Sequence, residues 1–185
     1  MKTKLLQQVL VAGALLAGTA FGAGQTNLKP AASDQNIARN VQHALLNYSD
    51  FTVFDDLSFL VQNGQVTLFG AVTEPFKKSD IQNIAAKVPG VNGVADNIQV
   101  LPFSDADNLL RREIATALRH DPALGRYQMG THPSIHILVN NGHVTLAGAV
   151  NTQSDKDAAA IRATAFGMKF GSIVNNLEVV PPSRT

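Results

Sequence analysis

Two stretches of the chain alternate apolar and polar residues with a period of two, and each folds back on itself at an Asn-Gly pair. With Asn63-Gly64 as a two-residue loop, Val61 faces Val66 and Phe59 faces Leu68; with Asn141-Gly142, Val139 faces Val144 and Ile137 faces Leu146. Asn-Gly is the preferred centre of a type I′ hairpin turn, where both residues need positive φ. Asn63, Gly64, Asn141 and Gly142 are therefore structural turn residues. Each hairpin has one apolar face for helices to cover. The opposite, open face carries Ser58, Leu60, Thr67 and Phe69 in the first, and His136, Leu138, Thr145 and Ala147 in the second.

Upstream of each hairpin the period changes to that of a helix. Ile37, Val41, Ala44 and Leu45 share one helical face, and so do Leu110, Ile114, Ala117 and Leu118 at the same spacings. Ser33 or Asp34 starts the first helix and Asp105 or Asp107 the other, since such side chains accept from unpaired N–H groups. Downstream, Thr73 is placed to cap a helix with Pro75 in its first turn and Ile81, Ile84, Ala85 and Val88 inward. Its counterpart spans about Gln153 to Phe166, with Ala158, Ile161 and Ala165 inward. VADNIQVLP (Val94 to Pro102) then matches IVNNLEVVP (Ile173 to Pro181).

NGQVTLFGAV (Asn63 to Val72) and NGHVTLAGAV (Asn141 to Val150) agree at eight of ten positions, so the chain holds two copies of one unit. The fold class expected is α+β: two tandem αββαβ domains, 34–103 and 104–181, each a three-stranded mixed sheet with two helices on one face. At about 70 residues a lone core is marginal. The copies are thus expected to pack on each other, with the open sheet faces as the available surface.

The first residues belong to neither copy. Lys2 and Lys4 precede an apolar run, and small residues from Gly18 to Gly24 follow, the pattern of a secretory signal peptide over 1–23 with cleavage after Ala20, Gly22 or Ala23. The clean apolar stretch is too short for a membrane span, which needs about 20 residues, so the mature form is expected to be exported and to have no transmembrane segment. Without Lys2 and Lys4 the chain has 13 basic against 14 acidic residues, a balance that argues against nucleic acid as a partner. The absence of Cys removes thiol catalysis and zinc–thiolate sites.

Candidate chemistry is sparse. His132 and His136 flank Pro133 on the approach to a strand. His136 and His143 share a sheet face but sit on the order of 13 Å apart at strand rise, too far for one ion. Asp55 and Asp56 read as a solvated loop pair. No GxSxG, HExxH or phosphate-cradling loop occurs, so no catalytic, cofactor-binding or metal residue is expected, and no cofactor. Charge is more informative. Residues 34–103 hold four basic and seven acidic residues, whereas 104–185 hold eight and seven. Arg111, Arg112, Arg119 and Arg126 lie on or just after the first helix of copy two and are the candidate lipid-facing residues; a solvated helix face is the competing reading. Leu60, Phe69 and Leu138 are candidate partner-facing residues unless they are buried between the copies. Burial of the open faces leaves the basic helix as the main surface; exposure favours partner binding.

A helix, an NGxVTLxGxV hairpin, a second helix, and GVxxV before a short strand together resemble the BON domain. Behind a signal peptide, two such domains resemble the osmotically inducible periplasmic protein family. The likeness covers about Asp34 to Pro181. Gly90-Val91 and Gly93-Val94 fit the family's glycine pattern, while Gly171-Ser172-Ile173 departs from it. The resemblance implies a non-enzymatic envelope protein of osmotic stress that contacts anionic phospholipid surfaces or other envelope proteins, and no catalytic residues.

Overall fold

The computed structural model describes residues 33–130, 132–167 and 171–182. The expected leader at 1–23, and the Met168–Phe170 part of the exit from the last helix, lie outside them. Copy one comprises α1 (Asp34–Leu46), β1 (Asp56–Gln62), β2 (Gln65–Val72), α2 (Pro75–Ala86) and β3 (Gly93–Val100). Copy two comprises α3 (Asp105–His120), a 3-10 turn (Gly125–Gln128), β4 (Ile135–Asn140), β5 (His143–Val150), α4 (Gln153–Gly167), β6 (Ile173–Asn175) and β7 (Glu178–Val179). The first two strands of each sheet are antiparallel and the third runs parallel to the second. The architecture is α+β in two tandem αββαβ units.

Both hairpins have the expected register. Val61 pairs with Val66 and Phe59 with Leu68; Val139 pairs with Val144 and Ile137 with Leu146. The turn residues all have positive φ, from 50° at Asn141 to 79° at Gly142. A carboxylate from the first turn of the preceding helix holds each turn. Asp34 accepts from the amides of Asn63 and Gly64 at 2.7 and 2.8 Å, and Asp107 from those of Asn141 and Gly142 at 2.8 Å each. Helix and hairpin tip are thus fixed together by the same device in both copies. Asp107 is therefore not a helix cap, and neither is Asp105: Ser104 caps α3, as Ser33 caps α1.

A second tie joins the approach to the first strand with the start of the second helix, and here the copies exchange charge. In copy one, fully buried Asp55 accepts from the backbone and hydroxyl of Thr52, the backbone and hydroxyl of Thr73, and the Lys77 ammonium at 2.7 Å. Thr73 thus serves Asp55 and does not cap α2; Glu74 is the N-cap residue and makes no side-chain cap bond. In copy two the register places Asp155 where copy one has Lys77. Asp155 accepts from Arg126 and Tyr127, both at 2.8 Å, and the Tyr127 hydroxyl takes the Asn151 amide in the role that Asp55 plays for Thr73. The reading of Asp55 as solvated is corrected: burial alone would raise its pKa, but the Lys77 ammonium, the Thr52 hydroxyl and the Thr73 amide hold it below the usual carboxylate range.

The phase of α4 differs from the expectation. Ala159 and Ala163 are buried, whereas Ile161 is 69% exposed and Ala165 is also outward. Asp155 sets this phase, because its bonds to Arg126 and Tyr127 turn that side of the helix inward. The third strand of copy two is interrupted, as β6 and β7, where Asn175 Oδ1 accepts from the Leu177 amide. Asp96 accepts from the Ile98 amide in the same way in copy one.

The copies do not meet face to face. The loop of residues 47–55 leaves copy one and lies along β4. Its Val53 carbonyl accepts from the Ile137 amide at 2.8 Å, and Val53 and Phe54 pack against the core of copy two. Phe51 sits edge-on to His136 with ring centroids 5.7 Å apart, and His132 Nε2 is 2.8 Å from the Leu46 carbonyl. Only the His136 and Ala147 end of copy two's open face is covered, so both residues are buried. Phe69 on the copy-one face is 40% exposed, and Leu60 and Leu138 are half-buried.

Candidate functional site

Helix α3 presents two chemically different sides. Leu110, Ile114 and Leu118 go to the core. Arg111 follows them inward: it is 3% exposed, and its guanidinium donates to the Asn108 side chain and to the Val139 carbonyl, each at 2.5 Å. Arg111 therefore leaves the candidate lipid-facing set. It closes the end of β4 instead, and burial lowers its pKa against the pull of Asp107, Asp55 and Glu74. Helical periodicity could not separate it from Arg112, since a residue beside the core stripe falls on either side of the boundary.

On the outer side, Arg112 and Arg119 are exposed and make no ion pair among the described residues. Their spacing of seven places them on one face, with Thr116 between them and Leu109 three residues before Arg112. Leu109 is 49% exposed. Phe103, just ahead of the Ser104 cap, is also exposed. Two cations beside outward apolar residues form a surface that can meet an anionic layer with an apolar interior. Arg126, outside the helix, is exposed but committed: it pairs with Asp155 and lies over the Tyr127 ring, 4.8 Å from its centroid.

The open face of sheet one is the other candidate. Phe69 lies between Ser58 on β1 and Asn97 on β3, and Leu60–Thr67–Ala95 form the next row. These positions carry no charge. Leu138–Thr145–Val174 form the corresponding row in copy two.

Between the copies Leu45, Tyr48, Phe51, Leu57, Pro133 and His136 line a cleft of about 30 Å³, too small for an organic ligand. His136 is not the surface histidine that its sequence context suggests. Its Nδ1 is buried without a hydrogen-bond partner. Burial lowers the His136 pKa below the usual histidine value, although the Asp56 carboxylate and the carbonyls of Asp55 and Thr52 favour the charged ring. Above about pH 6.5 the ring is neutral folded or unfolded. As pH falls below that value the unfolded chain binds the proton first, and stability is lost until the folded pKa is reached. Wild type is expected to lose up to roughly 1.4 kcal/mol per pH unit within that window, and His136→Gln is expected to lack this component. Urea unfolding at pH 7.5, 6.5 and 5.5 checks it; parallel pH dependence in the two proteins is the contrary result.

Among the described residues no group of three or more His, Asp or Glu side chains is placed to hold a metal ion, and no helix is long and apolar enough to cross a membrane.

The family model of the BON domain matches residues 33–102 and again 106–181. A comparison with curated proteins gives no match. Among solved structures, the chain is similar to CdsD, a structural protein of the type III secretion system of Chlamydia trachomatis, at 14% identity over 80% of this chain and 93% of that one, with a TM-score of 0.28. The C-terminal domain of CdsD gives 14% identity over 77% and 96%, with a TM-score of 0.27.

Proposed function

Since the chain belongs to the BON domain family, in two tandem copies, we propose that it is a non-catalytic protein of the bacterial envelope, exported to the periplasm by its leader, which adsorbs to anionic phospholipid surfaces under osmotic stress. The observation that carries the reading is the outer face of α3, where Arg112 and Arg119, without an ion pair among the described residues, follow exposed Leu109. A basic side chain near an anionic surface contributes about 1 kcal/mol. Two give a gain of about thirtyfold over a neutral surface, a reversible and salt-sensitive contact. Leu109 and Phe103 add apolar area that can enter the headgroup boundary.

Co-sedimentation with vesicles tests this. Binding is expected to vesicles containing phosphatidylglycerol at low salt, to weaken at about 0.5 M salt, and to fall roughly thirtyfold or more in Arg112→Glu/Arg119→Glu. Equal binding to neutral phosphatidylcholine vesicles, or no binding at low salt, contradicts it.

Exposure of Phe69 favours a second reading, in which the uncharged face of sheet one holds another envelope protein or an unfolded chain. It ranks second because a single outward aromatic residue is common on soluble proteins. On this reading Phe69→Ala reduces partner capture with little loss of stability, as its exposure requires.

A further inference from the structure

The copies differ in what covers the outer edge of their first strand. The hairpin registers leave three residues on each with N–H and C=O directed away from the sheet: Leu57, Phe59 and Val61 on β1, and Ile135, Ile137 and Val139 on β4. On β4 that edge is closed. Gln128 donates to the Ile135 carbonyl at 3.0 Å, the Ile137 amide reaches Val53, and Arg111 donates to the Val139 carbonyl. On β1 none of the outward groups has a hydrogen-bond partner among the described residues. The cause is legible in the comparison of copies. Ala38 stands at the position of Arg111 and is too short to reach Val61, and the loop that would supply the counterpart of Gln128 has crossed to β4. All six residues are buried, but Leu57, Phe59 and Val61 retain 7, 6 and 6% where Ile135, Ile137 and Val139 are at 0%; the Leu57 end of the edge borders the cleft between the copies.

The remaining edges are blunted. On β3 the outward Ile98 amide is taken by Asp96, and its carbonyl by Lys78 at 2.6 Å. The outer strand of sheet two is broken at Asn176-Leu177. An unpaired strand edge without charge or proline is a template for another strand, and Leu57 to Gln62 (LSFLVQ) has neither.

We propose that β1 is a self-association surface, on which a second copy of this chain pairs its own β1 antiparallel about a two-fold axis at Phe59. Leu57 then lies opposite Val61 of the other copy, Phe59 opposite Phe59, and Ser58 opposite Leu60. Two three-stranded sheets become one of six strands. A second copy fits because the outward groups are symmetric about Phe59 and the strand sets no like charges opposite each other. With the other edges blunted, the contact is isologous and closes at a dimer. Three residues a side is a small contact, which corresponds to a dissociation constant between about 1 µM and 1 mM.

Sedimentation velocity of the purified protein from about 1 µM to 1 mM, without lipid, tests this. A concentration-dependent monomer–dimer equilibrium is expected, with slowed amide exchange at Phe59 in the dimer. Ala38→Arg, which restores the copy-two closure, is expected to weaken the dimer roughly tenfold or more. Ser58→Lys/Leu60→Lys, which changes only the open face, is expected to do the same by setting lysines opposite each other, and mixing it with Ser58→Glu/Leu60→Glu is expected to restore association. A protein that stays monomeric throughout overturns the proposal, as does a dimer indifferent to the lysine pair.

Discussion

Asp55→Ala is expected to lower the unfolding free energy by about 3–5 kcal/mol, the usual cost of leaving one partner of a buried ion pair uncompensated. Asp55 and Lys77 are both buried, at 2.7 Å from each other. The same carboxylate holds Thr52 and Thr73, so its removal frees two backbone amides as well as the ammonium. The effect extends beyond copy one. Thr52 precedes Val53, whose carbonyl occupies the edge of β4, so a loosened Asp55 also loosens the contact between the copies. Lys77→Met in the Asp55→Ala background is expected to recover part of the loss by removing the stranded charge. Urea unfolding of wild type, single and double variants checks this; a single-variant loss under about 1 kcal/mol would contradict it. Acid acts at the same site. The folded Asp55 pKa is lowered, so its contribution is present above the unfolded carboxylate value and is lost as pH falls through the folded one.

Asp107→Ala is the second large effect, at about 2–4 kcal/mol. Asp107 is buried, and both oxygens accept from the hairpin turn. Each amide left without a partner costs about 1–3 kcal/mol when buried, and bonds to a charged acceptor are the stronger kind. Gly142 is buried and Asn141 exposed, so the first amide carries the larger share. Asp34→Ala in copy one is expected to cost less, because the Asp34 carboxylate is half-exposed where that of Asp107 is buried. Chemical denaturation of the two variants gives the comparison; equal losses would show that burial does not set the cost.

The repeated parts of the fold were legible because each copy states them independently. The Asn-Gly turns need positive φ, and the alternation around them admits one register. Ile37 and Val41, like Leu110 and Ile114, mark a helical stripe. What was not legible depends on partners distant in sequence. Asp34 and Asp107 looked like helix starts, and only the folded chain shows the hairpin tip returning to them. Asp55 with Lys77 and, in copy two, Tyr127 and Arg126 with Asp155 perform one task with the charge on the second helix reversed, so comparing the copies by residue type hides their equivalence. The Ala-rich α4 has too weak an apolar contrast to fix its phase, and the bonds of Asp155 decide it. For the candidate surface, the basic cluster was visible, but not its division. Arg111 is drawn in by the Val139 carbonyl and Arg126 by Asp155, which leaves Arg112 and Arg119. The open faces were expected to cover each other, but the loop at 47–55 supplies the contact and leaves Phe69 outward.

The chain contains no Trp, so a single introduced indole reports one position. Leu109→Trp on α3 and Phe69→Trp on sheet one sample the two candidate surfaces. With vesicles containing phosphatidylglycerol at low salt, the Leu109→Trp emission is expected to shift to the blue and the shift to reverse on adding salt, while Phe69→Trp stays unchanged. A blue shift at Phe69→Trp with none at Leu109→Trp would contradict the assignment of α3 as the membrane-contact surface.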